Sequence, residues 1–183
     1  MDPLDGSREY VAGSDEFVVS IARIERGVPT HGVLYQPTSG IAWTAIRGEG
    51  ALRHAPGAPP EELPIHTPPA PVVALSRHHD VPATRRFAEL HGYTRFSAVG
   101  SALKFAHLAE GTLAVYPRFT ECKEWDTAAG HLILTEAGGG LRDLVTETEL
   151  RYNKPEFPNN AFLACAPGVD LDVLFQSMRS MRP

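Results

Sequence analysis

Seven prolines between residues 55 and 71 divide the chain into two stretches with different residue patterns. Proline has no backbone N–H and a fixed φ angle, so a stretch this rich in proline can form neither a helix nor a central β-strand. We interpret it as the connection between two lobes. The predicted division places an antiparallel-sheet lobe at 1–60 and an α/β lobe at 61–183.

The stretch before the prolines contains three short runs rich in β-branched and aromatic residues, at 17–22, 31–35 and 41–46. Turn-forming residues separate them, Gly27-Val28-Pro29 first and Thr38-Ser39-Gly40 second. Short runs of this composition with such turns between them are typical of neighbouring antiparallel strands. The first lobe is therefore predicted to contain a β-meander.

The stretch after the prolines alternates between strand-like and helix-like patterns, with Asp80 predicted to cap the first helix and Gly92 to end it. Such alternation predicts a mainly parallel or mixed sheet covered by helices, an α/β arrangement. The predicted strands are 72–75, a strand near residue 96, 113–116 and 161–165; the predicted helices are about 81–91, 101–110, 126–137 and one beginning near 170.

Charge and composition limit the classes of partner and the compartment. The 183 residues carry a net charge of −5 and contain no cluster of Lys and Arg, which argues against binding to nucleic acid. No apolar stretch is long enough to span a membrane, and peripheral association with a membrane stays open. The sequence does not determine the oligomeric state. The two cysteines, Cys122 and Cys165, are too few for a disulfide framework. The N-terminus is acidic, whereas the start of a signal peptide is basic. Both observations predict a cytoplasmic location.

Two acidic residues lie close together at the start of the chain, Asp2 and Asp5. Pro3 and Gly6 predict a tight turn there that directs both carboxylates to one point, where they repel each other unless a cation lies between them. Mg²⁺ prefers oxygen ligands, and the backbone carbonyl of Leu4 could complete the set. The alternative is an ordinary surface turn, because the pattern Pro-x-Asp-Gly also favours turns that bind nothing.

A third acid, Asp126, is predicted at the start of a helix. A carboxylate there is ordinarily explained as a cap or as a charge that interacts with the helix dipole. The small residues after it, Ala128-Ala129-Gly130 and later Ala137-Gly138-Gly139, would let the helix approach a loop closely. That setting favours a third metal ligand.

Six segments in the same order resemble the CysQ-type 3′(2′),5′-bisphosphate nucleotidases of the inositol monophosphatase family. They are Asp2–Glu9, Phe17–Ala22, Ser76–His79, Gly100–Phe105, Tyr116–Phe119 and Trp125–His131. The resemblance implies the layered α+β sandwich of the inositol monophosphatase and fructose-bisphosphatase fold, without its N-terminal helices. It also implies two or more Mg²⁺ ions.

The resemblance assigns roles to individual residues. Metal ligands would be Asp2, Leu4, Asp5 and Asp126, and catalytic residues would be Ser7, Asp5 and Asp126. The backbone of Gly6 and Ser7 would cradle the reacting phosphate, and the Ser7 hydroxyl would orient the attacking water. The implied substrate-binding residues are Leu4, Asp5, Gly6, Ser7, Gly100, Ser101, Lys104, Arg118 and Asp126.

The implied substrate is a small phosphorylated nucleotide, adenosine 3′,5′-bisphosphate, whose 3′-phosphate is removed to give AMP and phosphate in sulfur assimilation. Its second phosphate would bind Ser101, Lys104 and Arg118, although a solvated helix face is the other interpretation of Lys104. His79 matches a histidine near the adenosine in related enzymes, whereas a His-His pair in a loop is usually only solvated. The alternatives are a phosphatase for inositol phosphates or other sugar phosphates, and a truncated paralogue without catalytic activity.

The sequence departs from the family pattern at its start. Family members carry a segment before the first motif that holds a further acidic metal ligand and an Asp that partners the motif's hydroxyl. We expect either that the start of this chain has been assigned too late, the interpretation that we favour, or that the product is a remnant. Without that segment we expect exposed apolar surface on the meander, weaker metal binding and impaired turnover.

Overall fold

The computed structural model describes residues 1–77 and 81–179. His79 and Asp80, predicted respectively to lie near the adenosine and to cap a helix, fall outside these residues. The structure contains two larger sheets, one small two-stranded sheet and five α-helices within the described residues. The sheets belong to different parts of the chain, and the helices lie between and beside them.

The first sheet has six antiparallel strands in sequence order, because each strand pairs with the next one along the chain. The predicted meander is confirmed and is longer than expected. A short helix, α1 (Ser7–Val11), follows the first strand. The strands are β1 (Asp2–Asp5), β2 (Val18–Glu25), β3 (Val28–Gln36), β4 (Ile41–Ile46), β5 (Gly50–His54) and β6 (Glu61–Glu62).

The second sheet has five strands, β7 (Val72–Leu75), β8 (Arg95–Ala98), β9 (Val115–Arg118), β11 (Gly140–Asp143) and β13 (Phe162–Cys165). Their order is β11-β13-β9-β7-β8. β7 is parallel to β8 and β9, whereas β13 is antiparallel to β9 and β11. The mixed sheet that the alternating pattern predicts is therefore confirmed. β10 (Cys122–Lys123) and β12 (Pro158–Asn159) form a separate antiparallel pair.

The remaining four helices are α2 (Val81–Leu90), α3 (Leu103–Glu110), α4 (Ala128–Glu136) and α5 (Leu171–Arg179). α3 and α4 lie between the two large sheets, in one hydrophobic cluster that includes Leu34 and Trp43 from the first sheet and Phe162 from the second. α2 and α5 cover the other face of the second sheet, where Phe87 and Phe175 lie in a second cluster. The layers thus alternate between sheet and helices, and the predicted layered sandwich is confirmed. The division of the chain at residue 60 stays a prediction.

α4 approaches β3 so closely that the strand has no room for a side chain at Gly32. A Cβ there would lie 3.0 Å from the carbonyl oxygen of Ala129 and 3.3 Å from its Cα. These are backbone atoms, so the whole helix would have to shift. Gly32 therefore sets the distance between the first sheet and its covering helix.

We expect Gly32→Ala to lower the free energy of unfolding by about 1–3 kcal/mol, the usual cost of forcing extra volume into a packed interior. Urea unfolding measures it. Gly140→Ala is the control, because a Cβ there meets only the flexible end of the Leu171 side chain, at 2.9 Å. Equal unfolding midpoints for the two variants would contradict the role of Gly32.

The face of the first sheet that points away from α4 carries apolar side chains. Ile21, Tyr35, Ile46 and Leu52 are between 36% and 42% exposed, and they alternate along their strands with buried residues. The large exposed apolar patch expected on the meander stays a prediction. In the described part of the chain, no helix combines the length and the apolar character that crossing a bilayer requires.

Candidate metal and phosphate site

Asp2 and Asp5 lie on β1, an edge strand of the first sheet, and not on the tight turn that we predicted. Residues three positions apart in a regular strand point to opposite faces. The pairing of β1 with β2 is irregular between Asp2 and Asp5, however, and such an irregularity can turn both side chains to one side. The Asp2 carboxylate also accepts a hydrogen bond from the Leu4 N–H at 3.0 Å.

Asp126 approaches these two acids from the other half of the chain. It ends a short 3₁₀ turn, Glu124–Asp126, and α4 begins at Ala128, two residues after the predicted start. Its carboxylate accepts a hydrogen bond from the Lys123 N–H at 3.0 Å. One carboxylate oxygen each from Asp2, Asp5 and Asp126 lie within 4.8 Å of one another.

The three carboxylates have a chemical character that fits a divalent cation. Burial, together with the negative charges of Asp126 and Asp2, raises the pKa of Asp5 to about 6, although the hydrogen bond from Ala102 and the charge of Lys104 oppose the rise. Burial likewise raises the pKa of Asp126. A cation among them would relieve both the repulsion and the loss of hydration, and oxygen donors are the ligands that Mg²⁺ prefers.

A buried network that the sequence did not indicate supports the turn carrying Asp126. The carboxylate of Glu124 accepts hydrogen bonds from the backbone N–H groups of Asn153 and Lys154, at 2.7 and 3.0 Å, and pairs with the Lys154 ammonium at 2.8 Å. On the other side of the turn, the Asn159 amide donates to the Thr127 hydroxyl at 2.7 Å. In the sequence, the one feature that could have pointed to Glu124 is its position two residues before Asp126.

Lys104 lies in α3 with its side chain buried, only 5% exposed, so it is not on a solvated helix face. Its ammonium donates to the carbonyls of Ser101 and Val99, at 2.7 and 3.1 Å. It also lies over the Tyr116 ring, 5.2 Å from the ring centre. Burial lowers the pKa of Lys104 to about 8, and the charge of Asp5 partly opposes this effect.

Arg118 ends β9 and supplies a second positive charge. Its guanidinium donates to the Tyr116 hydroxyl and to the carbonyls of Thr120 and Glu121, each at 3.2 Å. Burial raises the pKa of Tyr116 to about 12, so this hydroxyl stays protonated at neutral pH. The Arg118 guanidinium is thereby held in one orientation on the same wall as Lys104.

The loop before α3 differs from the prediction. The helix begins at Leu103 and not near Ser101, and Ser101 has a left-handed φ of 52°. Ser101 therefore offers no first-turn helical N–H to a phosphate. Its hydroxyl instead accepts a weak hydrogen bond from the Leu103 N–H at 3.4 Å.

One cleft of about 290 Å³ brings most of the predicted site residues together. Leu4 lies on β1 and is half-buried. Asp2 does not line the cleft itself, but its carboxylate lies beside those of Asp5 and Asp126, which do. The predicted residues that line the cleft are Asp5, Gly6, Ser7, Gly100, Ser101, Lys104, Arg118 and Asp126. The cleft thus combines an acidic side with a basic side, which suits an anionic ligand held partly by a cation.

Comparison with known families agrees with this geometry, because residues 1–179 match the model of the inositol monophosphatase family. The chain belongs to this family. Its mixed α/β fold is the inositol monophosphatase fold, as a crystal structure of CysQ from Bacteroides thetaiotaomicron shows: the two superpose with a TM-score of 0.80 at 33% identity, over 90% of this chain and 68% of that one.

Curated relatives in the inositol monophosphatase family have different substrates in their names. The chain is 35% identical to the 3′(2′),5′-bisphosphate nucleotidase CysQ of Buchnera aphidicola, over 91% of this chain and 63% of that protein. It is 32% identical to the histidinol-phosphatase of Mycobacterium tuberculosis, over 79% of this chain and 58% of that protein. The chain therefore spans less than two thirds of the length of these relatives.

Proposed function

We propose that this chain carries the catalytic site of a Mg²⁺-dependent phosphomonoesterase that removes the 3′-phosphate of adenosine 3′,5′-bisphosphate, with AMP and orthophosphate as products. The observation that carries the proposal is that a cluster of three half-buried carboxylates, Asp2, Asp5 and Asp126, opens onto a cleft that also contains the buried Lys104 and the half-buried Arg118. The name of the relative from Buchnera aphidicola supports a substrate with two phosphates.

Asp2, Asp5, Asp126 and the Leu4 carbonyl would hold Mg²⁺, and two or more ions are proposed. Bound Mg²⁺ supplies Lewis-acid chemistry, which makes a water more acidic and neutralises charge on the leaving oxygen. The backbone of Gly6 and Ser7 would cradle the reacting phosphate, with the Ser7 hydroxyl orienting the attacking water. The water gives up a proton as its oxygen bonds to phosphorus, the bond from phosphorus to the 3′-oxygen breaks, and that oxygen takes up a proton, which leaves AMP and orthophosphate.

The second phosphate would bind at the basic side of the cleft. Lys104 and Arg118 both line the cleft together with Asp5 and Asp126, so a ligand with two phosphates can reach the cations and the acids at once. Gly100 and Ser101 lie beside Lys104. A phosphatase for sugar phosphates would have less use for two cations on this side, which is why the bisphosphate is the substrate that we propose.

Release of orthophosphate from a panel of phosphomonoesters tests the proposal. Adenosine 3′,5′-bisphosphate, inositol 1-phosphate, histidinol phosphate and 3′-AMP are compared with Mg²⁺ and with EDTA. We expect the highest kcat/KM for the bisphosphate and no release in EDTA. Preference for inositol phosphate would favour the sugar phosphatase alternative, and no release from any ester would favour a non-catalytic role.

Binding of AMP should weaken as the pH rises through about 8, because AMP retains the 5′-phosphate and Lys104 holds that phosphate only while its amine is protonated. Above that pH we expect the affinity to fall by up to about tenfold per pH unit, as for the loss of one required proton. Calorimetric titration without metal measures it. In Lys104→Met the affinity should already be low and should show no such fall, and the same fall in this variant would assign the titration to another group.

A further inference from the structure

The carboxylate of Glu16, just before β2, joins three separate segments of the chain. Its two oxygens accept hydrogen bonds from the Nε and Nη2 groups of Arg77, both at 2.7 Å. One of them also accepts the backbone N–H of Gly100 at 2.7 Å. Arg77 lowers the pKa of Glu16, so the carboxylate stays charged at neutral pH. None of these contacts is needed to hold Mg²⁺.

Gly100 begins a short loop that a second carboxylate fixes at its other end. The N–H of Ala102 donates to Asp5 at 2.6 Å, so the loop Gly100–Ala102 is held at both ends by acids from the first half of the chain. Between these two contacts Ser101 has its left-handed φ of 52°. A serine adopts that conformation only when its surroundings hold it there.

Close packing leaves the loop little freedom to move elsewhere. A Cβ on Gly100 would lie 2.6 Å from the Cγ of Glu9 and 3.0 Å from the carbonyl oxygen of Glu16. A Cβ on Gly6 would lie 3.0 Å from the Cβ of Ser101. The loop therefore lies directly against the segment that carries the predicted phosphate-binding Gly6 and Ser7.

The position of this loop also determines where the buried ammonium lies. Lys104 donates to the Ser101 carbonyl at 2.7 Å, and both residues line the cleft. A shift of the loop would consequently displace the hydroxyl of Ser101 and the ammonium of Lys104 together. Functional side chains depend in this way on neighbours that lock their positions.

From these contacts we propose that Glu16 is a positioning residue for the second phosphate: it anchors the loop Gly100–Ala102 and thereby places Ser101 and Lys104. The proposal rests on the proposed function, in which those residues bind the non-reacting phosphate. Arg77 takes part as the partner that orients the Glu16 carboxylate. Glu16 itself need not touch the substrate.

Glu16→Gln tests the proposal, with Asp15→Asn as the matched control. Glutamine keeps the size of the side chain but replaces one acceptor oxygen with an NH₂ group, which faces the donors of Arg77 and Gly100. Asp15 is an exposed neighbouring acid that uses only its backbone carbonyl in the hydrogen bonds found for it in the described residues. Hydrogen exchange of the metal-free protein is followed at residues 99–103, and AMP binding is measured by calorimetry.

We expect Glu16→Gln to speed amide exchange at 99–103 while the other peptides exchange as before, and to weaken AMP binding about tenfold, or about 1.4 kcal/mol. KM for the bisphosphate should rise in the same proportion with kcat retained, and kcat/KM for 3′-AMP, which lacks the second phosphate, should change little. Asp15→Asn should match the unmodified protein in every measurement.

Unchanged exchange at 99–103 together with unchanged AMP affinity would overturn the positioning role. If the unmodified protein neither binds AMP nor hydrolyses the bisphosphate, the proposed function fails instead, and exchange at 99–103 still decides whether Glu16 anchors the loop. Should Glu16→Gln unfold the protein, it is replaced by Arg77→Gln, which removes the guanidinium that orients the Glu16 carboxylate for its contact with Gly100. Faster exchange confined to 99–103 in that variant supports the proposal, and no change there overturns it.

Discussion

Replacing Asp5 with asparagine should make the metal-free protein more stable and abolish its response to Mg²⁺. Asp5 has a pKa of about 6 in the folded protein because burial and the neighbouring acids disfavour its charge. The folded state therefore holds a proton that the unfolded chain has released. This group favours folding below its unfolded pKa of about 4, and that contribution disappears as the pH rises through about 6.

At neutral pH the cost of the charged Asp5 in the metal-free protein is about 1–3 kcal/mol, which asparagine removes while it can still accept the hydrogen bond from Ala102. Urea unfolding in EDTA and in millimolar Mg²⁺ measures both effects. We expect Mg²⁺ to stabilise the unmodified protein and the Asp15→Asn control but not Asp5→Asn. If Asp5→Asn is the less stable protein in EDTA, the electrostatic cost assigned to the charged Asp5 is wrong, and if Mg²⁺ stabilises it as much as the unmodified protein, the metal assignment of Asp5 is wrong.

Lys104→Met should reduce kcat/KM for adenosine 3′,5′-bisphosphate far more than for 3′-AMP, which lacks the second phosphate. The loss of one charge-assisted contact is worth about 1.5–3 kcal/mol, or about 10-fold to 150-fold. Methionine keeps most of the side-chain volume, so the space beside Tyr116 stays filled. Steady-state phosphate release with both esters measures the ratio.

Lys123→Met is the matched control for Lys104→Met. It removes the same charge from an exposed side chain whose ammonium donates to the Glu156 carbonyl at 3.1 Å. We expect equal, small effects of Lys123→Met on both esters. Equal large losses on both esters in Lys104→Met would instead indicate a damaged fold or a general phosphatase.

The elements with strong local patterns could be predicted from the sequence. The meander follows from its β-rich runs and turns, and the helices of the second half follow from their periodicity, with ends shifted by one or two residues at most positions. The small residues of α4 were predicted to let it approach a loop, but at Gly130 the close neighbour is a helix: a Cβ there would lie 2.5 Å from the Phe105 ring of α3.

The parts that could not be predicted depend on distant partners. β1 forms only because β2 lies beside it, and a stretch of four residues with one proline has no strand pattern of its own. Glu16 and Glu124 look like ordinary acids in the sequence. Glu16 takes its role from a contact with Gly100, and Glu124 takes its role from contacts with Asn153 and Lys154. These partners lie far from the two acids along the chain.

The close contact between Gly32 and α4 bears on the order in which the protein can fold during synthesis. All six strands of the first sheet leave the ribosome before residues 128–136, which form the helix that covers their buried face. Until then Leu34 and Trp43 lack part of their final packing partners, and the nascent sheet presents apolar surface on both faces. Non-local contacts of this kind slow folding, and apolar surface that is exposed during the delay promotes aggregation.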